Sequence, residues 1–356
     1  MEIEIEKKII TIDETTEIAR GGEGVIHSLN NDTLLKVIKE QVLNENKIKK
    51  ILAFCDKTVQ ISNESEQPWI SSPISPAYLL NHNQRYNNLK GFTMSYFNNT
   101  EELGKIKFDL RKNAFKRNVV SDLEAISIVE SIFEKLQLLH RNKIIIGDIN
   151  SLNFLVEKVT KEIFLIDVDS YQIGEFVCPF ISEEYVDVNV YEKGATNNGG
   201  FHYSIDSDIF ALSVLCFEFI IGTRPFEIGV IPYIDKFEAQ KRGVSLIDYH
   251  YLNTKTIKNH HLIERDELQD VLNRLSEVKR ICPKLYMFFV DIFHHKKRIY
   301  YQKLAFNNSR KRVRKVVENS NRIVKPIRGY QILKKDPIEL KMFLGQFNIK
   351  TDWLCI

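Results

Sequence analysis

The stretch Ile146-Gly147-Asp148-Ile149-Asn150-Ser151-Leu152-Asn153 and the later Leu165-Ile166-Asp167-Val168-Asp169-Ser170 constrain this chain more than any other part of it. Each places acidic or amide side chains after an apolar run. Asp148 follows Ile144 to Ile146, and a carboxylate set just after a buried run is costly to desolvate, so it tends to have a task. It is suited to accept or orient the proton of a hydroxyl. Asn153 can offer its side-chain oxygen, and Asp167 a carboxylate, to one Mg²⁺, because hard cations prefer such ligands together with phosphate oxygens. Phosphoryl transfer needs that set. Taken alone, the pattern also fits two strand ends with polar caps. Asp169 reads as an extra acid that caps a turn.

Upstream, Gly21, Gly22 and Gly24 form a compact glycine cluster between two β-type runs. Glycines allow the backbone to approach phosphates and donate N–H groups to them, although most such clusters are hairpin turns. Lys36, on the short run Thr33 to Ile38, can reach back toward the same place. Glu45 opens a helical pattern through Ile48, Ile51 and Leu52 and is a candidate partner for Lys36. Glu40 competes for that role.

The alternation of Ile3, Ile5, Ile9 and Ile10 with charged residues suggests a first strand over 1–12. Residues 61–88 read as loops around short strands, and Gly91 to Met94 as a buried strand. From Leu123 the spacing of Ile126, Val129, Ile132, Phe133, Leu136 and Leu139 predicts a helix. A long irregular segment covers roughly 170–205, and helices follow. The first part is thus strand-rich and the second helix-rich, and a cleft between two such lobes is a natural nucleotide site.

At 356 residues and 44% hydrophobic content the chain can build a sizeable core, and its net charge of +3 makes the whole molecule no polyanion binder. Five scattered cysteines with no C-x-x-C pair argue against a zinc site or a disulfide framework. With no signal sequence seen at the N-terminus, they suit a reducing cytoplasm. The most apolar run, Ile209 to Gly222, contains Glu218 and is too short to span a bilayer, so it reads as a core helix. His260-His261 and His294-His295 lack acids or cysteines at ligand spacing and read as surface or packing residues. The segment 309–328 carries eight Lys and Arg against the single acid Glu318. It is a candidate basic helix, either packed on the domain or contacting an anionic partner such as nucleic acid, a membrane surface or an acidic protein.

Taken in order, these pieces resemble the protein-kinase superfamily over roughly residues 15–300. The resemblance implies a bilobal α+β fold with a β-rich N-lobe (1–97), a helical C-lobe (98–300) and a basic extension (301–356). It implies ATP and Mg²⁺ as cofactors and a protein substrate. Ile18 to His27 looks like the glycine-rich loop, with Ala19 in place of its first glycine. Gly21, Gly22, Gly24 and Ile26 would then line the nucleotide, and Lys36 would be the ATP lysine with Glu45 beside it. Met94 falls at the gatekeeper, Ser95-Tyr96-Phe97 at the hinge and Leu155 at the adenine floor. Asp148, Asn153 and Asp167 match the catalytic Asp and the two metal-binding residues, and Asp208 would brace the catalytic loop through its backbone. The variants Gly-Gly-Glu-Gly, Gly-Asp-Ile-Asn and Asp-Val-Asp-Ser look like one bacterial branch of Ser/Thr kinase-like proteins, sometimes fused to helix-hairpin-helix modules.

Three departures bear on function. Ile146-Gly147 replaces the usual His-Arg, so a phosphate on the segment after Asp167 loses its usual partner, and activity is expected not to depend on it. Asn150 replaces a Lys common in Ser/Thr kinases. No Ala-Pro-Glu occurs near 186–192, which leaves the usual Glu–Arg brace of the C-lobe without its acid. A small-molecule kinase of the antibiotic- or choline-kinase type and a non-catalytic nucleotide-binding scaffold are the alternative readings.

Overall fold

The computed structural model describes residues 1–62, 68–80, 88–116, 119–197, 199–227, 235–252 and 265–301. They belong to a single unit, Met1–Gln302. The basic stretch 309–328 and His260-His261 lie outside the described residues.

The N-terminal part is an antiparallel sheet with one helix. Its strands are β1 (Glu2–Ile5), β2 (Lys8–Thr11), β3 (Glu17–Arg20), β4 (Gly24–Ser28) and β5 (Thr33–Ile38), then, after helix α1 (Glu45–Ser62), β6 (Pro76–Leu79) and β7 (Leu89–Ser95). They lie in the order β2-β1-β6-β7-β5-β4-β3. The single strand expected over 1–12 is instead a hairpin. Glu6 and Lys7 both take positive φ, 50° and 67°, which is the backbone of a tight two-residue turn. Its alternating apolar positions serve two short strands equally well, so periodicity alone did not mark the turn.

Strand alternation puts Leu34, Lys36 and Ile38 on one face of β5 and Leu35 on the other. Leu34 and Ile38 pack with Phe92 and Met94 and with Ile51 and Cys55 of α1. Leu35 joins Ile3, Ile5, Ile12 and Ala77 on the opposite face. Lys36 is thereby fixed on the α1 side of the sheet.

The C-terminal part begins with β8 (Thr100–Glu102) and the short pair β9 (Phe108–Asp109) and β10 (Ala114–Phe115). Helix α2 (Asp122–Arg141) starts on a reciprocal cap between Ser121 and Glu124 and buries Ile126, Val129, Ile132, Phe133, Leu136 and Leu139. Then come β11 (Ile144–Ile145), β12 (Phe154–Glu157), β13 (Ile163–Leu165) and β14 (Gln172–Ile173). Helices α3 (Val188–Lys193), α4 (Ile205–Ile221), α5 (Lys236–Arg242), α6 (Leu246–Tyr251), α7 (Arg265–Ile281) and α8 (Pro283–Phe289) complete it. Helix α4 is the apolar run read as a core helix, and it is buried from Ser207 to Ile221. Glu218 on it is neutralised by Lys107 at 2.7 Å and accepts a hydrogen bond from Tyr185. Among the described residues no helix is long and apolar enough to cross a membrane. Cys55, Cys178, Cys216 and Cys282 are free and buried. His294 is hydrogen-bonded to Asp248 at 2.6 Å.

The two parts are stitched beside the segment that leads to Asp167. Trp69 to Ser71 runs along Leu165, which donates to the Trp69 carbonyl and accepts from the Ser71 N–H. Phe97 stacks on Phe164 with ring centroids 4.2 Å apart.

Candidate phosphoryl-transfer site

Two local devices bring Asp148, Asn153 and Asp167 together. The first is the β12–β13 hairpin. Phe154 is opposite Leu165, so Asn153 and Asp167 lie at neighbouring strand ends, and the Ile166 N–H donates to the Asn153 carbonyl at 3.1 Å. The second is Asp208 on α4. Its fully buried carboxylate accepts the Ile146 and Gly147 N–H groups at 2.7 and 2.9 Å and a bond with His140 at 3.0 Å. The backbone before Asp148 is thus held by a charged group on the core helix, a strong form of hydrogen bond.

Asp148 faces an open cavity of about 570 Å³ lined also by Asn150, Asn153, Asp167, Phe180 and Ser182. Burial raises its pKa, and a hydrogen bond from the Ser182 hydroxyl at 2.6 Å opposes that rise. Asn153 donates its amide nitrogen to the Asp148 carbonyl at 3.2 Å, which reserves its oxygen for a cation. Asp167 has φ of 58°, a left-handed conformation uncommon for this residue and of the kind found at functional sites. Its side chain is 39% exposed, so it can still take a ligand. Among the described residues no three His, Cys, Asp or Glu side chains gather as a metal cage. The Asn153–Asp167 pair fits an ion that keeps water and phosphate oxygens in its shell, as Mg²⁺ does.

Lys36 is buried and carries three acidic partners: Asp169 at 2.8 Å, Asp167 at 3.2 Å and Glu23 at 3.5 Å. Burial works against its charge, but Asp169, Asp167 and Glu23 outweigh it and raise its basicity. Glu45 is not among these partners. It is the first residue of α1, its side chain is 80% exposed, and it pairs with Lys49. The inward stripe of α1 runs through Lys47, Lys50, Ile51, Phe54 and Cys55, and Glu45 is outside that phase. Glu40 is exposed as well.

Helix α1 supplies a lysine where an acid was expected. Lys47 meets Asp169 at 3.0 Å and Glu23 at 3.0 Å. Asp169, read from sequence as a turn cap, is instead the buried counter-ion of both lysines. Burial raises its pKa, but Lys36 and Lys47 overcome that and hold it below the ordinary carboxylate value. Sequence reasoning therefore missed Glu23, Lys47 and Asp169. The phase of α1 was the available signal, since it places a lysine among buried apolar positions.

The residues expected from sequence to line a nucleotide lie on or beside neighbouring strands. Ile26 is paired with Lys36, and Met94 with Leu34. Tyr96 follows β7 and is 40% exposed, and Leu155 lies on β12 between Glu102 and Phe164. The glycine cluster is a tight turn closed by the Gly21 N–H on the Gly24 carbonyl at 2.9 Å. A Cβ at Gly21 or Gly22 would meet no atom within 4 Å. Their side-chain-free backbone is not demanded by neighbours, which leaves room for a ligand to approach.

The segment after Asp167 is anchored by apolar contacts where a phosphate–arginine pair was absent from the sequence. Cys178, Val186, Val190 and Tyr203 form a buried cluster. Lys50 ties the segment to α1 by donating to the Ser170 and Val177 carbonyls at 2.8 and 3.1 Å, and burial lowers its basicity to about 8. Asp187 pairs with Arg298 at 2.9 Å, a brace supplied without an Ala-Pro-Glu motif. Tyr171 and Ser170 are buried, and Tyr185 is bonded to Glu218. These side chains belong to the fold, so alanine at all of them would test stability rather than phosphorylation.

Gly147 has φ of +75°, and a Cβ there would stand 2.7 Å from the Tyr203 ring and 2.9 Å from Cys178. Gly147→Arg is expected to cost about 1–2 kcal/mol for the left-handed backbone and about 1–3 kcal/mol for overpacking. Urea unfolding of that variant measures it, and an unchanged midpoint would contradict the assignment.

No family model matches the chain, and no curated protein matches it. Among solved structures it is similar to the kinase PK-1 of the Cydia pomonella granulovirus, with a TM-score of 0.42 and 15% identity over 67% of this chain and 78% of that one. By its own architecture, a sheet with one helix joined to a helical part through the hairpin that carries Asn153 and Asp167, the chain has the mixed α+β, two-part fold expected from its sequence.

Proposed function

We propose that this chain transfers the terminal phosphoryl group of ATP, with Mg²⁺, to Ser or Thr hydroxyls of a protein substrate. The observation that carries the reading is the convergence of Lys36, Asp148, Asn153 and Asp167 on one cleft, with Asp167 bonded to Lys36 and bordering the cavity of Asp148. Lys36 binds and orients the phosphates. Asn153 and Asp167 hold the metal, which when bound neutralises charge on the triphosphate. Asp148 orients the acceptor hydroxyl and takes its proton.

The preference for a protein acceptor rests on two features. The cavity beside Asp148 is open, and the segment that walls it is anchored at Cys178, Tyr203 and Asp187. In addition, the Ser182 hydroxyl donates to the Asp148 carboxylate at 2.6 Å, the relation an acceptor hydroxyl requires.

The test is acceptor competition. The protein is incubated with Mg²⁺ and ATP labelled in its terminal phosphate, in the presence of a protein extract or of a panel of aminoglycosides, choline and sugars. Label in Ser and Thr of proteins is expected. Label only in a small molecule would reverse the acceptor class, and nucleotide binding without any labelling would favour a scaffold.

A further inference from the structure

We propose that Glu23 occupies the place of a phosphate group, and that Lys47 is a second phosphate-binding cation beside Lys36. The inference rests on the nucleotide reading of the cleft and adds two residues to it. One carboxylate oxygen of Glu23 lies 3.0 Å from the Lys47 ammonium and 3.5 Å from that of Lys36. A single anionic oxygen shared between two ammonium groups is how a phosphoryl oxygen is held.

The charges explain why Glu23 is the anion that leaves. Lys36 and Lys47 share Asp169, whose side chain is 3% exposed and has oxygens within 3.0 Å of both lysines. Asp169 cannot move without exposing two buried cations. Asp167 pairs with Lys36 at 3.2 Å and also borders the cavity of Asp148. Glu23 is 21% exposed and sits in the turn between β3 and β4. That turn is pinned through its backbone, because Lys39 donates to the Gly21 carbonyl at 2.7 Å and to the Glu23 carbonyl at 2.9 Å. Only the Glu23 side chain has to rotate to release both lysines. With Glu23 out, the two cations face two carboxylates, Asp169 and Asp167, and the excess negative charge that would oppose a phosphate is gone. With Glu23 in, two cations face three carboxylates and a polyphosphate is repelled.

The experiment is calorimetric titration of the protein with the imido analogue of ATP plus Mg²⁺, and separately with adenosine. It compares wild type, Glu23→Gln, Lys47→Met and Lys47→Arg, with thermal melting as the fold control. Glu23→Gln is expected to tighten the analogue by about five- to tenfold, and Lys47→Met to weaken it by about tenfold. Lys47→Arg is expected to keep most of the affinity, and adenosine affinity to stay level throughout. Weaker analogue binding in Glu23→Gln would overturn the proposal, as would unchanged binding in a folded Lys47→Met. If Lys47→Met does not fold, Glu23→Gln decides alone. Wild type and Glu23→Gln both failing to bind either ligand would overturn the nucleotide reading and this inference together. Normal wild-type binding without tightening in Glu23→Gln would overturn this inference only.

Discussion

Asp148→Asn is expected to lower phosphoryl transfer by about 10²–10⁴-fold and to leave thermal unfolding nearly unchanged. The substitution keeps the shape of the side chain and an oxygen for the Ser182 hydroxyl, but it removes the basic carboxylate. Single-turnover labelling with excess protein measures the loss without interference from product release. The same carboxylate sets a pH dependence. Burial raises its pKa above the ordinary 3.8, and the Ser182 bond pulls it back part of the way. Transfer requires the ionised form, so activity falls as pH drops through that raised value, and the acid limb lies above the range of an exposed aspartate. Ser182→Ala removes the bond that favours the ionised form and is expected to move the limb further up. A limb at the ordinary aspartate position in both proteins would show that Asp148 is not the titrating base.

Asp169→Asn is expected to destabilise the folded unit by about 3–5 kcal/mol, because breaking a buried ion pair leaves charge uncompensated. Here two ammonium groups, on Lys36 and Lys47, lose the more deeply buried of the two carboxylates they share. A turn-capping aspartate at the same place would cost only about 0.5–2 kcal/mol, so denaturant unfolding separates the two roles. Asp169 is held below its ordinary value of 3.8. Near that pH the unfolded chain therefore binds more protons than the folded one, and the contribution is complete above 3.8 and fades as pH falls below it. Wild type should lose this increment in acid, and Asp169→Asn should show a correspondingly flatter profile. Equal acid sensitivity in the two would contradict the ion-pair role.

The parts of the fold legible in sequence were those whose burial is periodic. The α2 stripe from Ile126 to Leu139, the apolar α4 and the β5 and β7 segments all follow from spacing, because each buries one face or all faces against a single core. The Glu6-Lys7 turn was not legible, since a tight turn between two alternating runs leaves the alternation intact. At the site, Asp148 and Asp167 could be read because each follows an apolar run, and Asn153 because it stands five residues after Asp148. Glu23 and Asp169 as partners of Lys36 could not, because they come from two separate places, the glycine turn and the segment after β13. Glu45 looked suitable by sequence distance, yet ion pairing depends on helix phase, and Lys47 rather than Glu45 points inward. Gly147 was visible as a missing arginine. The reason for it, a positive φ against the Tyr203 ring, is a tertiary contact that local sequence does not encode.

The central claim is that Asp148, Asn153 and Asp167 form one metal-dependent phosphoryl-transfer centre. It is tested most directly by following the terminal phosphate of ATP in the purified full-length protein as Mg²⁺ is titrated, with Asp167→Asn in parallel. Label is expected to appear in protein hydroxyls only with Mg²⁺, and Asp167→Asn is expected to lose transfer while melting as a folded protein. Transfer that persists in Asp167→Asn, or that is indifferent to Mg²⁺, would contradict the assignment of the centre.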